Sequence, residues 1–313
     1  MTDISRRKFM KRVGATGATL PALSVLAAAS AEGTIPRRTL GRTGEQVSIL
    51  AFGGGSRFLA YEDEGEALRI LNRALDLGIT YVDSAFSYGK GKSEERIGKG
   101  LGARRKAVFL ATKMPDRGYD EFLRTLEGSL KRLQTERVDL LHIHSLGNAE
   151  DLEKVTKDTI RALYRARDEK MTRFIGITSH TDGAVMKQAL ERFDLNCVQM
   201  ALNASRNNQF EELALPAANR KQLGIIAMKV TAQEALVGQG AGKAAMEPLV
   251  RYSLSLPVTT AVIGMPKPEF LEENVQHARA FRPLNREEAE QVHRQVAPAQ
   301  AALTRFFQDH LDA

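Results

Sequence analysis

The chain of 313 residues is 43% apolar and 27% charged, the proportions of a folded chain and not of a disordered, collagenous or disulfide-stapled one. Its single cysteine, Cys197, excludes an internal disulfide and any thiolate cluster for zinc or iron–sulfur chemistry, and within the apolar run NCVQMAL it reads as a buried, inert thiol. The net charge of +7 would suit a nucleic-acid partner, but Arg6, Arg7, Lys8, Lys11 and Arg12 fall in the first 31 residues against Asp3 alone, so the remainder is close to balanced and no nucleic-acid partner is expected.

The first element is a leader. Residues 5–11 read SRRKFMK, a weakly apolar stretch GATGATLPALSVLAAA follows, and Ala29-Ser30-Ala31 supplies small residues for cleavage. The stretch is shorter than the roughly 20 residues a spanning helix needs and is broken by Gly and Pro, so no stable membrane span is expected. SRRKFMK resembles a twin-arginine export signal. That resemblance implies a partner in the twin-arginine export machinery, which moves already folded cargo, and a periplasmic or otherwise exported location after cleavage near Ala31. Residues 1–31 are thus read as a signal peptide and 32–313 as one folded domain.

The segment IPRRTLGRTGEQVSIL then reads as two short strands around Gly41 to Gly44, a small hairpin. Eight apolar runs follow: LAFGG near residue 50, ITYVD near 79, AVFLATK near 107, VDLLHIH near 138, RFIGITS near 173, CVQMAL near 197, GIIAMKV near 224 and TTAVIG near 259. Between them lie segments such as EGEALRILNRALDLG, YDEFLRTLEGSLKRLQ and AVMKQALERF, whose apolar residues recur at spacings of three and four. Apolar strands alternating with amphipathic helices indicate a parallel sheet covered on both faces. Eight such units predict an α/β fold, a (β/α)8 TIM barrel with an N-terminal β-hairpin, rather than a doubly wound sheet. Gly53-Gly54-Gly55 does not have the spacing of a dinucleotide-binding GxGxxG. The tail from Phe281 onward reads as one or two amphipathic C-terminal helices, with Phe306 and Phe307 as core residues.

In such a barrel the chemistry lies at the C-terminal ends of the strands. Asp83 closes the second run, Lys113 the third and His144 the fourth; Thr178 and Ser179 close the fifth, and Gln199 sits within the sixth. Tyr88 follows Asp83 by five residues. A tyrosine beside a lysine can serve as a proton donor, because the ammonium stabilises the phenolate, and a carboxylate paired with the lysine keeps it charged and oriented.

The ordered set TLGRTGEQVS, DSAFSYGKGKSEERIGKGL, VFLATK, SLKRLQTERVDLLHIHS, RFIGITSH, CVQMALN and VIGMPKPEFLEENV resembles the aldo-keto reductases from about residue 36 to residue 280. The resemblance places the family's catalytic tetrad on Asp83, Tyr88, Lys113 and His144. It places nicotinamide contacts on Thr178, Ser179 and Gln199, and the adenosine-phosphate loop on Gly264, Met265 and Lys267 through Glu273 and Asn274. Gly53, Gly54, Asp83, Met228 and Lys229 complete the implied cofactor set. The chain departs from the family's pattern at three places: Thr178-Ser179 stands for Ser-Asn, Met228 for a stacking aromatic, and Phe270 for an arginine aimed at the 2′-phosphate. Lys267 is then the basic residue left in that loop, so NADP(H) is the preferred cofactor and NAD(H) an allowed one.

The resemblance implies an oxidoreductase that reduces a small-molecule aldehyde or ketone, with Tyr88 as proton donor, Lys113 and Asp83 tuning it, and His144 orienting the carbonyl. The alternative is an exported protein that holds the nicotinamide cofactor for binding or sensing with little turnover. No metal site is expected: His142 and His144 share a strand face, but no ligand set surrounds them, and His142 reads as a barrel-core residue. His180 reads either as a pocket-border residue or as a loop hydrogen-bonding group.

Overall fold

The computed structural model describes residues 33–309, so the expected twin-arginine leader and its expected cleavage near Ala31 lie outside the described residues. The hairpin forms as expected: β1 (Arg37–Thr39) pairs antiparallel with β2 (Gln46–Ser48). The turn between them presses on the barrel floor. A Cβ on Gly41 would lie 2.2 Å from the backbone nitrogen of Gly224, and Gly41 has φ +50°, so two independent constraints select glycine there.

The eight apolar runs are the eight barrel strands: β3 (Leu50–Gly53), β4 (Tyr81–Asp83), β5 (Phe109–Met114), β6 (Val138–Ile143), β7 (Thr172–Ser179), β8 (Cys197–Ala201), β9 (Gly224–Met228) and β10 (Thr260–Ile263). All neighbours pair in parallel, and β10 returns to β3 to close the barrel. The outer helices form for local reasons. In Glu64–Asp76, Asp63 caps the first turn by accepting from the Glu66 amide at 2.6 Å, and two glutamates lie in that turn. Ala67, Ile70, Leu71 and Ala74 then face the strands at spacings of three and four. Two further helices, Arg286–Val296 and Gln300–Asp309, follow the last barrel unit; Phe307 is fully buried there, whereas Phe306 is 43% exposed.

The barrel is a packed interior with a polar upper layer. Leu40 and Val47 of the hairpin plug the floor against Ala51, Tyr81, Phe109, Leu140, Cys197 and Ile226, with Tyr81 stacked on Phe109 at 5.3 Å. Burial pushes the Cys197 thiol far up, in keeping with an inert core cysteine. His142 lies above this layer, fully buried, with neither ring nitrogen hydrogen-bonded among the described residues. Its ring fills space left by Gly176, where a Cβ would come within 2.6 Å of Nδ1.

Burial drives the His142 imidazole well below its ordinary range, and the charges of Lys113 and His144 add to the effect. The folded protein thus keeps this ring neutral at a pH where the unfolded chain protonates it. Below the unfolded value of about 6.5 the unfolded state binds the extra proton, so stability falls with falling pH, by up to about 1.4 kcal/mol per pH unit from this ring. His142→Leu should flatten the pH dependence of urea-denaturation stability between about pH 6.5 and about pH 5; parallel profiles for variant and parent would show that the ring is not held neutral.

Candidate active site

Two neighbouring strand ends, those of β4 and β5, meet at one buried ammonium. Asp83 is the last residue of β4, Lys113 the fifth of β5, and Tyr88 begins the short turn Tyr88–Gly91 that follows β4. Lys113 Nζ donates to Asp83 Oδ2 at 2.6 Å, to the Ser84 carbonyl at 2.7 Å and to Tyr88 Oη at 3.3 Å. An ammonium has three protons, and these are three acceptors. The side chains of Lys113 and Asp83 are 1% and 2% exposed, so water contributes almost nothing to this pairing. Because Lys113 donates to the Tyr88 oxygen, the phenol's own proton points elsewhere.

The turn that presents Tyr88 is built for it. Gly89, Lys90 and Gly91 all have positive φ, which folds the chain back over the strand ends. Gly55 backs the Tyr88 ring, where a Cβ would lie 3.5 Å from it. On the other side His144, directly after β6 and 3% exposed, meets Tyr88 edge to face at 5.7 Å, and its Nδ1 lies 3.3 Å from Ser87 Oγ. The four residues of the expected tetrad therefore come together.

A cleft of about 380 Å³ opens beside them. Of the expected cofactor residues, Gly53, Asp83, Gln199, Met228, Lys229 and Gly264 line it. Gln199 Nε2 lies 3.4 Å from Asp83 Oδ2, while Gln199 Oε1 and Asp83 Oδ1 are buried without a hydrogen-bond partner among the described residues. Gly54, directly after β3, is not among the lining residues; its amide donates to the Asp83 carbonyl at 2.7 Å.

The other expected residues sit elsewhere. The hydroxyls of Thr178 and Ser179 turn to the loop after β6: Thr178 Oγ1 accepts from the Ser145 amide at 2.8 Å, and Ser179 Oγ donates to the Leu146 carbonyl at 2.7 Å. Met265 is buried, with its carbonyl accepting from Tyr61 Oη at 3.1 Å. Lys267 is exposed at the start of helix Pro268–Arg279, and Glu273 is exposed on that helix. Asn274 is buried and donates to the Phe270 carbonyl at 2.7 Å, with Oδ1 unpartnered among the described residues. His180 is buried and packs on Phe307 at 6.0 Å, outside the cleft lining. No cluster of metal-ligating side chains occurs among the described residues.

Sequence reasoning missed Arg57 and, beyond Lys229, the loop after β9. Arg57 lines the cleft beside Gly264, where a Cβ would strike its stem at 2.7 Å. Its Nε lies 3.1 Å from Glu234 Oε1, and its Nη2 donates to the Gln233 carbonyl at 3.0 Å. Lys229, Ala232, Gln233 and Glu234 all have positive φ, so this loop curls back over the barrel mouth. A cation two residues after Gly53-Gly54-Gly55, at the exit of a barrel strand, was the available signal.

A family model described as the aldo/keto reductase family matches residues 50–249. An L-galactose dehydrogenase of Arabidopsis thaliana is 30% identical over 281 residues, covering 77% of this chain and 87% of that protein. An aldo-keto reductase of Schizosaccharomyces pombe whose name specifies NADP(+) is 30% identical over 183 residues, covering 53% of this chain and 52% of that one. Among solved structures, the holo form of an aldo-keto reductase from Bacillus halodurans superposes with TM-score 0.72 at 26% identity, over 83% of this chain and 97% of that chain.

Removing one partner of a buried ion pair strands the other charge, at a cost of roughly 3–5 kcal/mol. Asp83→Ala should therefore destabilise the protein by that order in urea denaturation, and Asp83→Asn, which keeps an acceptor oxygen, by less. A loss under about 1 kcal/mol for Asp83→Ala would show that Lys113 is not held as a buried ammonium by this carboxylate.

Proposed function

The chain belongs to the aldo/keto reductase family, and we propose that it reduces a small-molecule aldehyde or ketone to an alcohol with NADP(H). The observation that carries this reading is the Lys113 ammonium, saturated by Asp83, the Ser84 carbonyl and Tyr88 Oη at the wall of the cleft. The residues present fit a nicotinamide dinucleotide. Gln199 offers a buried, unpartnered amide oxygen to a carboxamide, Gly53 and Gly264 leave a bare wall, and Met228 supplies a polarisable one. Arg57 and Lys229 bring positive charge for phosphates.

When bound, the reduced cofactor supplies a hydride. Tyr88 gives its phenolic proton to the oxygen of the carbonyl as charge develops there. Lys113 stabilises the phenolate left behind, and Asp83 holds Lys113 charged and aimed. His144, edge-on to Tyr88, orients the carbonyl oxygen toward both. In the reverse direction the same groups accept the proton of an alcohol. The name of the Schizosaccharomyces pombe relative supports NADP over NAD.

The pattern SRRKFMK supports export through the twin-arginine route, with the cofactor loaded beforehand in the cytoplasm. Replacing Arg6-Arg7 with Lys-Lys should leave folded precursor inside the cell; undiminished export of the double variant would overturn this.

Tyr88→Phe removes only the transferable proton and should lower kcat by roughly 10² to 10⁴, with cofactor affinity nearly unchanged. More than a tenth of the parent's turnover would take Tyr88 out of the proton-donor role.

The cations of the cleft and of the adenosine-side loop should separate by cofactor. A charge-assisted hydrogen bond contributes roughly 1.5–3 kcal/mol, or about ten- to a hundredfold in affinity. Arg57→Gln should weaken NAD and NADP alike by that factor, as a residue facing the shared pyrophosphate does. Lys267→Ala should weaken NADP and leave NAD within about twofold. Fluorescence titration of both cofactors decides it: no loss with Arg57→Gln removes that residue from the site, and equal losses with Lys267→Ala remove the lysine from 2′-phosphate recognition.

A further inference from the structure

His144 stands at the first residue beyond β6, where strand hydrogen bonding ends and Ser145 turns to φ +53°. A loop residue placed this way is held only as well as its backbone is held. Here three consecutive residues, His144 to Leu146, are tied from both sides. The His144 amide donates to the Met114 carbonyl at 2.9 Å, and the Leu146 amide donates to the Thr178 carbonyl at 2.7 Å. The Ser145 amide and the Leu146 carbonyl take the hydroxyls of Thr178 and Ser179.

The carbonyls of His144 and Ser145 remain, and a single guanidinium takes both. Arg117, three residues past the end of β5, donates one Nη2 proton to the His144 carbonyl at 2.8 Å and shares it with the Ser145 carbonyl at 3.2 Å, the other Nη2 proton going to Asp151. The same group grips Asp151 through two atoms, Nε to Oδ1 at 2.7 Å and Nη2 to Oδ2 at 2.8 Å, and Nη1 donates to the Pro115 carbonyl at 2.9 Å. Asp151 Oδ2 also accepts from the Gly147 amide at 3.0 Å, so the carboxylate reaches the far end of the same loop. The Arg117 carbonyl is itself pinned by Thr159 Oγ1 at 2.6 Å. Both side chains of the pair are about one-fifth exposed. Burial works to raise the Asp151 carboxyl, but Arg117 and the Gly147 amide outweigh it and hold the carboxyl below its ordinary range. A planar fork can meet a carboxylate and two carbonyls at once; an ammonium cannot reproduce that geometry.

We propose that Arg117, locked by Asp151, is a positioning residue for carbonyl reduction: it fixes the main-chain carbonyls of His144 and Ser145 and thereby the aim of the His144 ring. This rests on the reading above, in which His144 orients the substrate carbonyl. Displacement of a positioned group by about 1 Å can cost on the order of a hundredfold in rate.

The experiment compares the parent protein with Arg117→Gln, Arg117→Lys and Asp151→Asn, each also in a His144→Gln background. Arg117→Gln should lower kcat about 10- to 100-fold while cofactor affinity stays within about threefold. Arg117→Lys should recover only part of the loss, and Asp151→Asn should fall between it and the parent. In the His144→Gln background, Arg117→Gln should cost less than about twofold more, since the group it aims is gone. Losses that multiply independently in that background, or full activity in Arg117→Gln, would overturn the proposal. Absence of carbonyl reduction by the parent protein would instead overturn the functional reading, and the clamp is then decided by nuclear magnetic resonance of the His144 ring, assigned with His144→Gln. One sharp ring signal in the parent should broaden or split in Arg117→Gln; an unchanged signal overturns the clamp. If circular dichroism shows Arg117→Gln unfolded, Arg117→Lys is read by the same two measurements.

Discussion

A buried ammonium is costly unless every proton on it is met. Lys113 meets that condition with a carboxylate, a main-chain carbonyl and a phenol oxygen, each supplied by β4 or by the turn immediately after it. The pairing of β4 with β5 sets Asp83 opposite Ala111, two residues before Lys113, so the lysine stem climbs to the level of the Ser84 carbonyl and the Tyr88 turn. Much of the upper barrel follows from this requirement. Asp83 must point inward, and Gly89 and Gly91, both at positive φ, must turn Tyr88 back over the strand ends.

The same requirement separates the two layers of the barrel interior. Below, the aromatic and aliphatic plug of Tyr81, Phe109, Leu140 and Ile226 excludes water and gives the strands their packing energy. Above, the polar groups are close enough to exchange protons and are screened from solvent, which strengthens each electrostatic contact. His142 lies between the layers, neutral through burial and close enough to Lys113 and His144 to sense their charge.

Loops at the C-terminal mouth have no sheet partner for their main-chain groups, and the protein meets this with side chains. Thr178 and Ser179 serve the loop after β6, Arg117 and Asp151 complete it, and Asn203 donates to the Lys229 carbonyl at 3.1 Å in the loop after β9. Residues that a linear pattern assigns to ligand contact thus carry loop geometry as well. Arg57 and Glu234 link the exit of β3 to the loop after β9 across the cleft, although 177 positions separate them in the chain only through barrel closure.

The eight strands were legible because a parallel barrel buries both faces of each strand, which leaves short apolar runs separated by helices of period 3.6. Asp83, Lys113 and His144 were legible because each interrupts such a run at its C-terminal end, where only a functional layer tolerates charge. Tyr88 was legible from its distance to Asp83 and from the glycines after it. Arg57, Glu234 and the Arg117–Asp151 clamp were not, since arginines and acids beyond the strand ends look alike in sequence until closure sets them side by side. Likewise Thr178 and Ser179 stand at strand ends whatever they bond to. Sequence by itself determined which residues lie at the barrel mouth, because periodicity and strand length are local properties. Tertiary structure decided which of them face the cleft and which hold a neighbouring loop, because main-chain carbonyls beyond a strand end take whatever donor the adjacent strand brings within reach.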